Sequence, residues 1–203
     1  MRLAVLLSGR GSNFQAIHEA IGRGELDAEI VCVISNRPEA PGMARAREYG
    51  YDTHVIDHKT FGTRAAHEEA VLHVLEEARP DYIVLAGYMR LLSPAFVDRW
   101  RNRILNIHPS LLPAFPGVDA QAQALRAGVP KSGCTVHFVD ENLDAGPIIV
   151  QREVPVLPGD TVESLSARIL AQEHQAYVEA LKRLECGSSA AALKAAAEPP
   201  HSN

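Results

Sequence analysis

Aromatic residues and cysteine are scarce in this sequence. Aromatic residues make up 5% of its 203 positions, with a single tryptophan, and there are three cysteines. No two cysteines have C-x-x-C spacing, so the usual pattern of a thiolate metal site or a redox site is missing. Cys32 and Cys134 lie in apolar, strand-like runs, where reduced and buried thiols are expected.

Long apolar runs and clusters of positive charge are also missing. No run approaches the roughly 18 residues that a membrane-spanning helix needs. The Leu3–Leu7 run is too short for the core of a signal peptide. The net charge is −5, which argues against broad binding to a nucleic-acid backbone but allows a local cationic pocket for a small anion. We therefore expect a cytoplasmic protein that binds neither membranes nor nucleic acid.

What the sequence does contain is an alternation of short apolar runs and helical patterns, which is typical of β-α-β units and a mainly parallel sheet. The runs are apolar on successive residues, as expected for strands that are covered on both faces. The predicted strands are Leu3–Leu7, Ile30–Ser35, Thr53–Ile56, Tyr82–Ala86 and Ile104–Ile107. The predicted helices are Asn13–Ile21, Met43–Tyr49, Arg64–Ala78 and one that begins at Ser93 and Pro94.

The pattern changes in the last third of the chain. Gly133–Val139 and Ile148–Val154 read as strands whose connection is too short for a helical crossover, so they should be antiparallel. A long helix follows, for which Asp160 and Glu163 have the spacing of a capping box. We predict an α/β fold with a Rossmann-like open, mainly parallel sheet, helices on both faces and antiparallel C-terminal strands. Residues 1–186 should form one domain, and residues 187–203, rich in Ala, Ser and Pro, a flexible tail.

A glycine-rich loop, Ser8–Asn13 (SGRGSN), connects the first predicted strand to a helix. Glycine lets the backbone approach a ligand closely, and N–H groups at a helix start attract anions. Ser12 and Asn13 add side-chain donors and are suited to cap the helix. The loop is not a full dinucleotide fingerprint, because Phe14 replaces the third glycine, and it has no Gly-Lys-Ser/Thr of a nucleotide hydrolase. A phosphate site and a tight structural turn both fit these residues.

Asn106 and His108 lie at the end of the fifth predicted strand, where open α/β sheets bind ligands. Alternation places both side chains on the same side of the strand. An amide beside an imidazole is suited to polarise a carbonyl group and to stabilise the oxyanion that forms on attack. Asp144 lies in a loop with Gly and Pro, and a carboxylate near the imidazole would orient it. From the residues alone, a structural role for His108 remains open, and nothing indicates that Asp144 lies near His108.

Longer runs around these residues resemble the signature of folate-dependent formyltransferases. Asn106–Pro113 (NIHPSLLP) is similar to its first half, and Leu143–Pro147 (LDAGP) is similar to its second half at a compatible spacing. The Ser8–Asn13 loop and Leu85–Leu92 (LAGYMRLL) resemble the branch of this family that formylates glycinamide ribonucleotide. The resemblance extends from the first strand through the helix that carries Glu173, which is nearly the whole chain.

The resemblance implies a formyltransferase fold and an enzyme of purine biosynthesis. The formyl group of 10-formyltetrahydrofolate, a co-substrate, would pass to the amine of N1-(5-phospho-D-ribosyl)glycinamide by direct attack through a tetrahedral intermediate. Neither a metal nor an enzyme nucleophile is implied. His108 would act as general acid, Asn106 would hydrogen-bond the oxyanion, and Asp144 would tune and orient His108.

The resemblance also implies two binding sites. The residues expected to bind the ribonucleotide and its phosphate are Gly11, Ser12, Asn13, Leu170 and Glu173. The residues expected to bind the folate are Arg64, Met89, Arg90, Leu91, Leu92, Asn106, Asp140, Glu141, Asn142, Leu143 and Asp144.

Several of these residues have other interpretations from sequence alone. Met89, Leu91 and Leu92 would fit a core stripe, and Glu173, on the apolar face of the long helix, would fit a helix-edge salt bridge. His137, on a predicted strand, is interpreted as structural.

Two further positions depart from the family pattern. Leu170 stands where relatives often have a polar residue, and Gln121 stands where many have His.

Three other functions compete with this prediction. Formyltransferases that act on methionyl-tRNA add a basic C-terminal domain, whereas a short Ala-rich stretch and a negative net charge are found here. Hydrolases of formyl-folate add an N-terminal regulatory domain, whereas the phosphate loop here starts within ten residues of Met1. A binding module without catalysis is disfavoured by the intact trio Asn106, His108 and Asp144. We expect small-molecule partners, and a monomer and a homodimer both remain open.

Overall fold

The computed structural model of the chain describes residues 1–187, so the predicted tail lies outside the described residues except for its first glycine. The chain divides into two compact units, residues 1–106 and the part from Ile107 onward. The strands are β1 Arg2–Leu7, β2 Glu29–Ser35, β3 Thr53–Val55, β4 Tyr82–Leu85, β5 Ile104–His108, β6 Lys131–Phe138 and β7 Ile148–Pro155. The helices are α1 Ser12–Gly22, α2 Pro41–Glu48, α3 Arg64–Ala78, α4 Pro94–Arg99, α5 Ala120–Ala127 and α6 Val162–Glu185, with a short 3-10 helix at His58–Thr60.

The first unit is built on parallel strands. β1 pairs with β2 on one side and with β4 on the other, β2 continues to β3, and β4 pairs with β5, all in parallel. Leu3–Leu7 of β1 is fully buried, as predicted from its apolar character on successive residues. α4 begins as predicted, with Ser93 accepting a hydrogen bond from the Phe96 N–H and Pro94 in the first turn.

The second unit contains an antiparallel hairpin covered by a long helix. β6 and β7 pair antiparallel from Lys131 opposite Pro155 to His137 opposite Ile148, as the short connection predicted. α6 packs against both strands. The predicted apolar stripe of α6 is buried and includes Glu173, at 9% exposure. The stripe consists of Leu165, Ile169, Glu173, Ala176, Ala180 and Leu184.

The strands form a seven-stranded sheet in the order β3-β2-β1-β4-β5-β6-β7. Its first five strands are parallel, and its last pair is antiparallel. This arrangement confirms the predicted α/β class. The division of residues 1–186 into a single domain stays a prediction.

The predicted capping box of the long helix is wrong. Thr161 is the N-cap, its hydroxyl accepts from the Ser164 N–H, and the Ser164 hydroxyl accepts from the Thr161 N–H. Asp160 instead forms a two-pronged ion pair with Arg168, at 2.7 and 2.9 Å. Two hydroxyls therefore form the capping box, and Asp160 supports it from outside by accepting from the Ser164 hydroxyl at 2.8 Å.

α5 was not predicted from the sequence. Its N-cap, Asp119, adopts the left-handed conformation (φ 57°) and makes no side-chain cap hydrogen bond. Because neither end of this eight-residue helix has a side-chain cap, it lacks the usual start signal. Gln121, one of the departures from the family pattern, lies in its first turn.

Candidate active site

The structure brings His108 and Asp144 together, which sequence reasoning from the residues could not do. The Nδ1 atom of His108 lies 3.4 Å from Oδ2 of Asp144, and the two side chains are 6% and 8% exposed. The Nε2 atom of His108 donates to the backbone carbonyl of Phe115 at 2.8 Å. Because a carbonyl oxygen only accepts, Nε2 carries a proton. A second proton, on Nδ1, would face the carboxylate.

Asp144 is fixed by the backbone around it. Its Oδ2 also accepts a hydrogen bond from the Gly117 N–H at 2.9 Å, and its own backbone is left-handed (φ 51°). Two residues later the chain passes so close to β6 that a Cβ on Gly146 would lie 1.9 Å from the Phe138 carbonyl oxygen. Only glycine fits there, and it allows the loop to close onto the end of the strand.

His137 is a neighbour of this pair that sequence reasoning missed. Its Nε2 lies 3.7 Å from Oδ1 of Asp144, and its Nδ1 donates to the Phe138 carbonyl at 2.9 Å. Burial lowers the pKa of His137 below its ordinary value. The one sequence signal for His137 is its position on the strand that leads into the Asp144 loop. Alternation along this strand does not indicate which of its faces the loop covers.

Asn106 precedes His108 by two residues on β5, so both residues lie near the carboxyl end of this strand. Asn106 is half-buried and lies opposite Leu85 in the β4–β5 register. The trio thus combines an amide, an imidazole and a carboxylate, a set that can polarise a carbonyl group and carry a proton.

The Asp140–Asp144 loop has an ordered start and an exposed middle. The Asp140 carboxylate accepts from the Asn142 N–H at 2.8 Å. Glu141 and Asn142 are exposed, and Leu143 is exposed at 57%. Of the predicted folate residues in this loop, Asp144 alone has a buried side chain next to His108.

In the first unit, the phosphate loop departs from one expectation. Gly11 is the N-cap of α1 with φ 69°, and no side chain caps this helix, so the predicted capping role of Ser12 and Asn13 is wrong. A Cβ on Gly11 would lie 3.1 Å from the Gly42 Cα, so glycine is required by both conformation and space. A helix start without a side-chain acceptor is well suited to an anion.

The predicted folate residues of the first unit meet at one place. The Arg64 guanidinium donates to the Leu91 carbonyl and, through Nε, to Glu68 at 3.0 Å. Met89 and Leu91 are 71% and 67% exposed, so the alternative that they belong to the core is wrong. Arg90 and Leu92 are half-buried. An arginine beside exposed apolar side chains forms a surface suited to a flat ring with an acidic tail.

Ser8 connects the start of the phosphate loop to this surface. Its hydroxyl donates to Asn36 at 2.5 Å and accepts from the Met89 N–H at 2.8 Å. Its own N–H donates to the Gly87 carbonyl at 3.1 Å. Sequence reasoning had assigned no partner to Ser8, because this contact joins residues more than eighty positions apart.

In the second unit, Leu170 and Glu173 lie about one turn apart on α6, half-buried and buried respectively. Burial, together with the negative charge of Glu173, raises the pKa of the Cys134 thiol on β6 to about 12. Cys32 and Cys134 are both free and buried, as predicted. Within residues 1–187, no three His, Cys, Asp or Glu side chains are grouped so that they could hold a metal ion.

No helix within the described part of the chain is both long and apolar enough to cross a membrane.

Comparisons with known proteins agree with this geometry. A formyl transferase family model matches residues 1–181. The phosphoribosylglycinamide formyltransferase of Escherichia coli strain K12 is 45% identical over 87% of this chain and 84% of its own length. A crystal structure of glycinamide ribonucleotide transformylase 1 from Symbiobacterium toebii has a TM-score of 0.89 at 49% identity, and covers 92% of this chain and 88% of that one.

A larger relative matches over a small part of its length. The trifunctional purine biosynthetic protein adenosine-3 of Drosophila pseudoobscura pseudoobscura is 51% identical over 92% of this chain, which spans 14% of that protein. The family match and the Escherichia coli relative together establish the family of this chain. The chain belongs to the formyl transferase family, and within it to the phosphoribosylglycinamide formyltransferases.

Proposed function

We propose that this enzyme transfers the formyl group of 10-formyltetrahydrofolate to the amine of N1-(5-phospho-D-ribosyl)glycinamide, a step of purine biosynthesis. The observation that carries the proposal is the buried pair of His108 and Asp144, 3.4 Å apart, at the end of the strand that also carries Asn106. A carboxylate and an imidazole held in this way serve proton transfer, and a neighbouring amide serves an oxyanion.

The proposed reaction needs no covalent bond to the enzyme. The substrate amine attacks the formyl carbon, and its lone pair forms the new C–N bond while the C=O electrons move to oxygen. When the tetrahedral intermediate collapses, the bond to N10 of the folate breaks. One proton leaves the amine and one arrives at N10, so the products are the formamide and tetrahydrofolate.

His108 is the proposed proton carrier in this sequence. Its Nε2 proton is held by the Phe115 carbonyl and its Nδ1 faces Asp144. A formyl oxygen that takes the place of the Phe115 carbonyl would receive the Nε2–H hydrogen bond. Asn106 would donate to the same oxygen as negative charge develops there. Asp144 keeps the ring oriented, because the Gly117 N–H fixes its carboxylate.

The binding roles are proposed for each unit separately. In the first unit, Gly11, Ser12 and Asn13 bind the ribonucleotide phosphate, and Arg64 with Met89–Leu92 binds the folate. In the second, Glu173 accepts from ribose hydroxyls and Leu170 lies beside the ribonucleotide. The loop residues Asp140, Glu141, Asn142, Leu143 and Asp144 of this unit are proposed to contact the folate. Asn106 of the first unit has the same proposed role.

A direct assay tests the proposal. Enzyme is mixed with 10-formyltetrahydrofolate and glycinamide ribonucleotide, and the absorbance change on loss of the formyl group is followed together with the formylated product. We expect loss of the donor that depends on the amine and that falls sharply in His108→Ala. Donor loss at an equal rate without the amine would favour a hydrolase. Transfer to charged tRNA in place of the ribonucleotide would favour the tRNA enzyme.

The cellular setting follows from the same proposal. A cytoplasmic location suits an enzyme of nucleotide synthesis, and the raised pKa of the Cys32 thiol, about 12 through burial, makes it an unreactive core residue there. The choice between a monomer and a homodimer stays a prediction that sedimentation can decide.

A further inference from the structure

Glu68 is a buried carboxylate in the first unit that the proposed reaction does not use. It lies one turn after Arg64 on α3, and its side chain is 10% exposed. A carboxylate with so little contact with water needs several donors around it. Its partners are Arg64 and Ser93. Arg64 and Met89–Leu92 together form the proposed folate-binding surface, and Ser93 follows it in the chain.

The carboxylate of Glu68 accepts three hydrogen bonds. Oε1 accepts from Nε of Arg64 at 3.0 Å and from the Ser93 N–H at 2.9 Å. Oε2 accepts from the Ser93 hydroxyl. The Ser93 oxygen in turn accepts from the Phe96 N–H at 3.2 Å, which caps α4. One side chain therefore fixes both Ser93, the residue that follows Met89–Leu92, and the arginine beside that segment.

Arg64 closes the arrangement. While its Nε is held by Glu68, its terminal nitrogen donates to the Leu91 carbonyl, in the middle of the segment. At the other end, the Met89 N–H is held by Ser8. The backbone of Met89–Leu92 is thus held by Ser8 at Met89 and by Arg64 at Leu91. Glu68 acts on it through Arg64 and through Ser93, the residue that follows the segment.

We infer that Glu68 is a positioning residue for folate binding, which holds Met89–Leu92 and Arg64 in the conformation that accepts the folate. This inference rests on the proposed function, because it assumes that this surface binds a folate. A binding segment that is already ordered loses less entropy when its ligand arrives. Loss of the Glu68 charge should therefore weaken folate binding without affecting the proton-transfer residues.

The test compares Glu68→Gln with Glu76→Gln. Glutamine keeps the size of the side chain but loses one acceptor, and its amide group opposes the Ser93 and Arg64 donors. Glu76 is a matched control, since it lies on the same helix and pairs with Arg99 of α4, as Glu68 pairs with Ser93, but at an exposed site. Binding of tetrahydrofolate is measured by calorimetry, and KM and kcat are measured in the formyl-transfer assay.

We expect Glu68→Gln to raise the Kd for tetrahydrofolate and the KM for the formyl donor about five- to ten-fold, the cost of one typical intramolecular hydrogen bond. The KM for the ribonucleotide and kcat at saturating donor should stay within about two-fold of the wild-type values, because a positioning residue for the folate acts on folate affinity alone. Glu68→Asp should recover part of the loss, because it restores the charge. Glu76→Gln should behave as wild type in every measurement.

Each other outcome is decisive. If wild type binds tetrahydrofolate and a folded Glu68→Gln variant binds it equally well, the inference is overturned and the proposed function stands. A fall in kcat with unchanged folate affinity, or an equal rise of both KM values, also overturns it. Wild type that binds no tetrahydrofolate overturns the proposed function and the inference together. If Glu68→Gln does not fold, the same binding and kinetic measurements on Ser93→Ala test the inference, since this variant removes the hydroxyl contact to Oε2 of Glu68.

Discussion

The two functional regions of this enzyme are built in opposite ways. The proposed catalytic corner of the second unit, formed by His108, Asp144 and the backbone of Phe115 and Gly117, buries its polar groups. The proposed folate-binding surface of the first unit exposes apolar side chains at Met89 and Leu91. In the corner, low water content strengthens each polar contact. On the surface, apolar area is kept available for a ligand.

The difference shows where rigidity comes from in each case. The corner is rigid because backbone passes close to backbone, as at Gly146, where the space left is too small for a Cβ. The surface is held by polar groups, because Ser8 and Arg64 bind its backbone at Met89 and Leu91 and Glu68 binds Arg64. Substitutions in the corner should therefore affect catalysis or folding, whereas substitutions on the surface should affect affinity.

The largest effect is expected for Asp144→Asn. The amide keeps the size of the side chain but removes the charge that faces Nδ1 of His108, so kcat should fall about a thousand-fold, within the range for loss of proton-transfer catalysis. Steady-state kinetics at saturating substrates measure this. Glu153→Gln, which removes an exposed ion pair with Lys131 in the same unit, should keep wild-type kcat. Similar kcat values for both variants would contradict the proposed role of the corner.

The next largest effect concerns the backbone contact at Gly146. Gly146→Ala forces the loop away from the Phe138 carbonyl, so the free energy of unfolding should fall by at least about 2 kcal/mol. Gly22→Ala, where an added Cβ meets nothing within 4 Å, should be neutral or slightly stabilising. Urea denaturation of the two variants provides the measurement. Equal stabilities would mean that the corner is not held by close backbone packing.

A third prediction sharpens the contrast between exposed and buried leucines of the first unit. Leu91→Ser removes an apolar side chain that is 67% exposed, so the KM for the folate should rise several-fold while the melting temperature stays near wild type. Leu85→Ala, at 6% exposure, should instead cost about 2–5 kcal/mol of stability. Calorimetry combined with kinetics separates these effects. A strongly destabilised Leu91→Ser would place this residue in the core.

The smallest effect is expected from pH acting on His67. Burial lowers the pKa of His67 below its ordinary value of 6.5, and Nε2 donates to the Ile56 carbonyl. The unfolded ring binds a proton more readily than the folded one, so stability is full above pH 6.5 and falls as the pH drops below it. His67→Gln should show a weaker loss of stability between pH 7.5 and 5.5. An unchanged pH dependence would mean that other groups dominate it.

Much of the fold could be predicted because its signals are local. The apolar runs of β1 and β2 gave their strands to within one residue, and α3 was predicted with the bounds that it has, Arg64–Ala78. The cap of α6 and the existence of α5 were missed, since several hydroxyl and carboxylate residues competed for one cap and α5 has none. Local patterns rank alternatives poorly when more than one residue can satisfy the same backbone group.

The candidate site divides along the same line. Asn106 and His108 were predicted together from strand alternation, because two residues apart on one strand is a local relation. Their pairing with Asp144 came from resemblance, and the positions of His137, Ser8 and Glu68 came from the structure. The contacts of Ser8 and Glu68 join distant parts of the chain, and that of His137 depends on how the loop to Asp144 folds back, so no periodicity in the sequence reports them.

The sequence by itself determined the order of the strands and of every α-helix except α5, the glycine-rich loop at Gly11 and the residue types needed for formyl transfer. The tertiary structure decided which of these residues meet. It placed a carboxylate 3.4 Å from the imidazole of His108 and set Glu68 beneath the folate-binding surface. The physical reason is that periodicity and capping act within a few residues, whereas the burial and pairing of charged groups depend on which distant segments pack together.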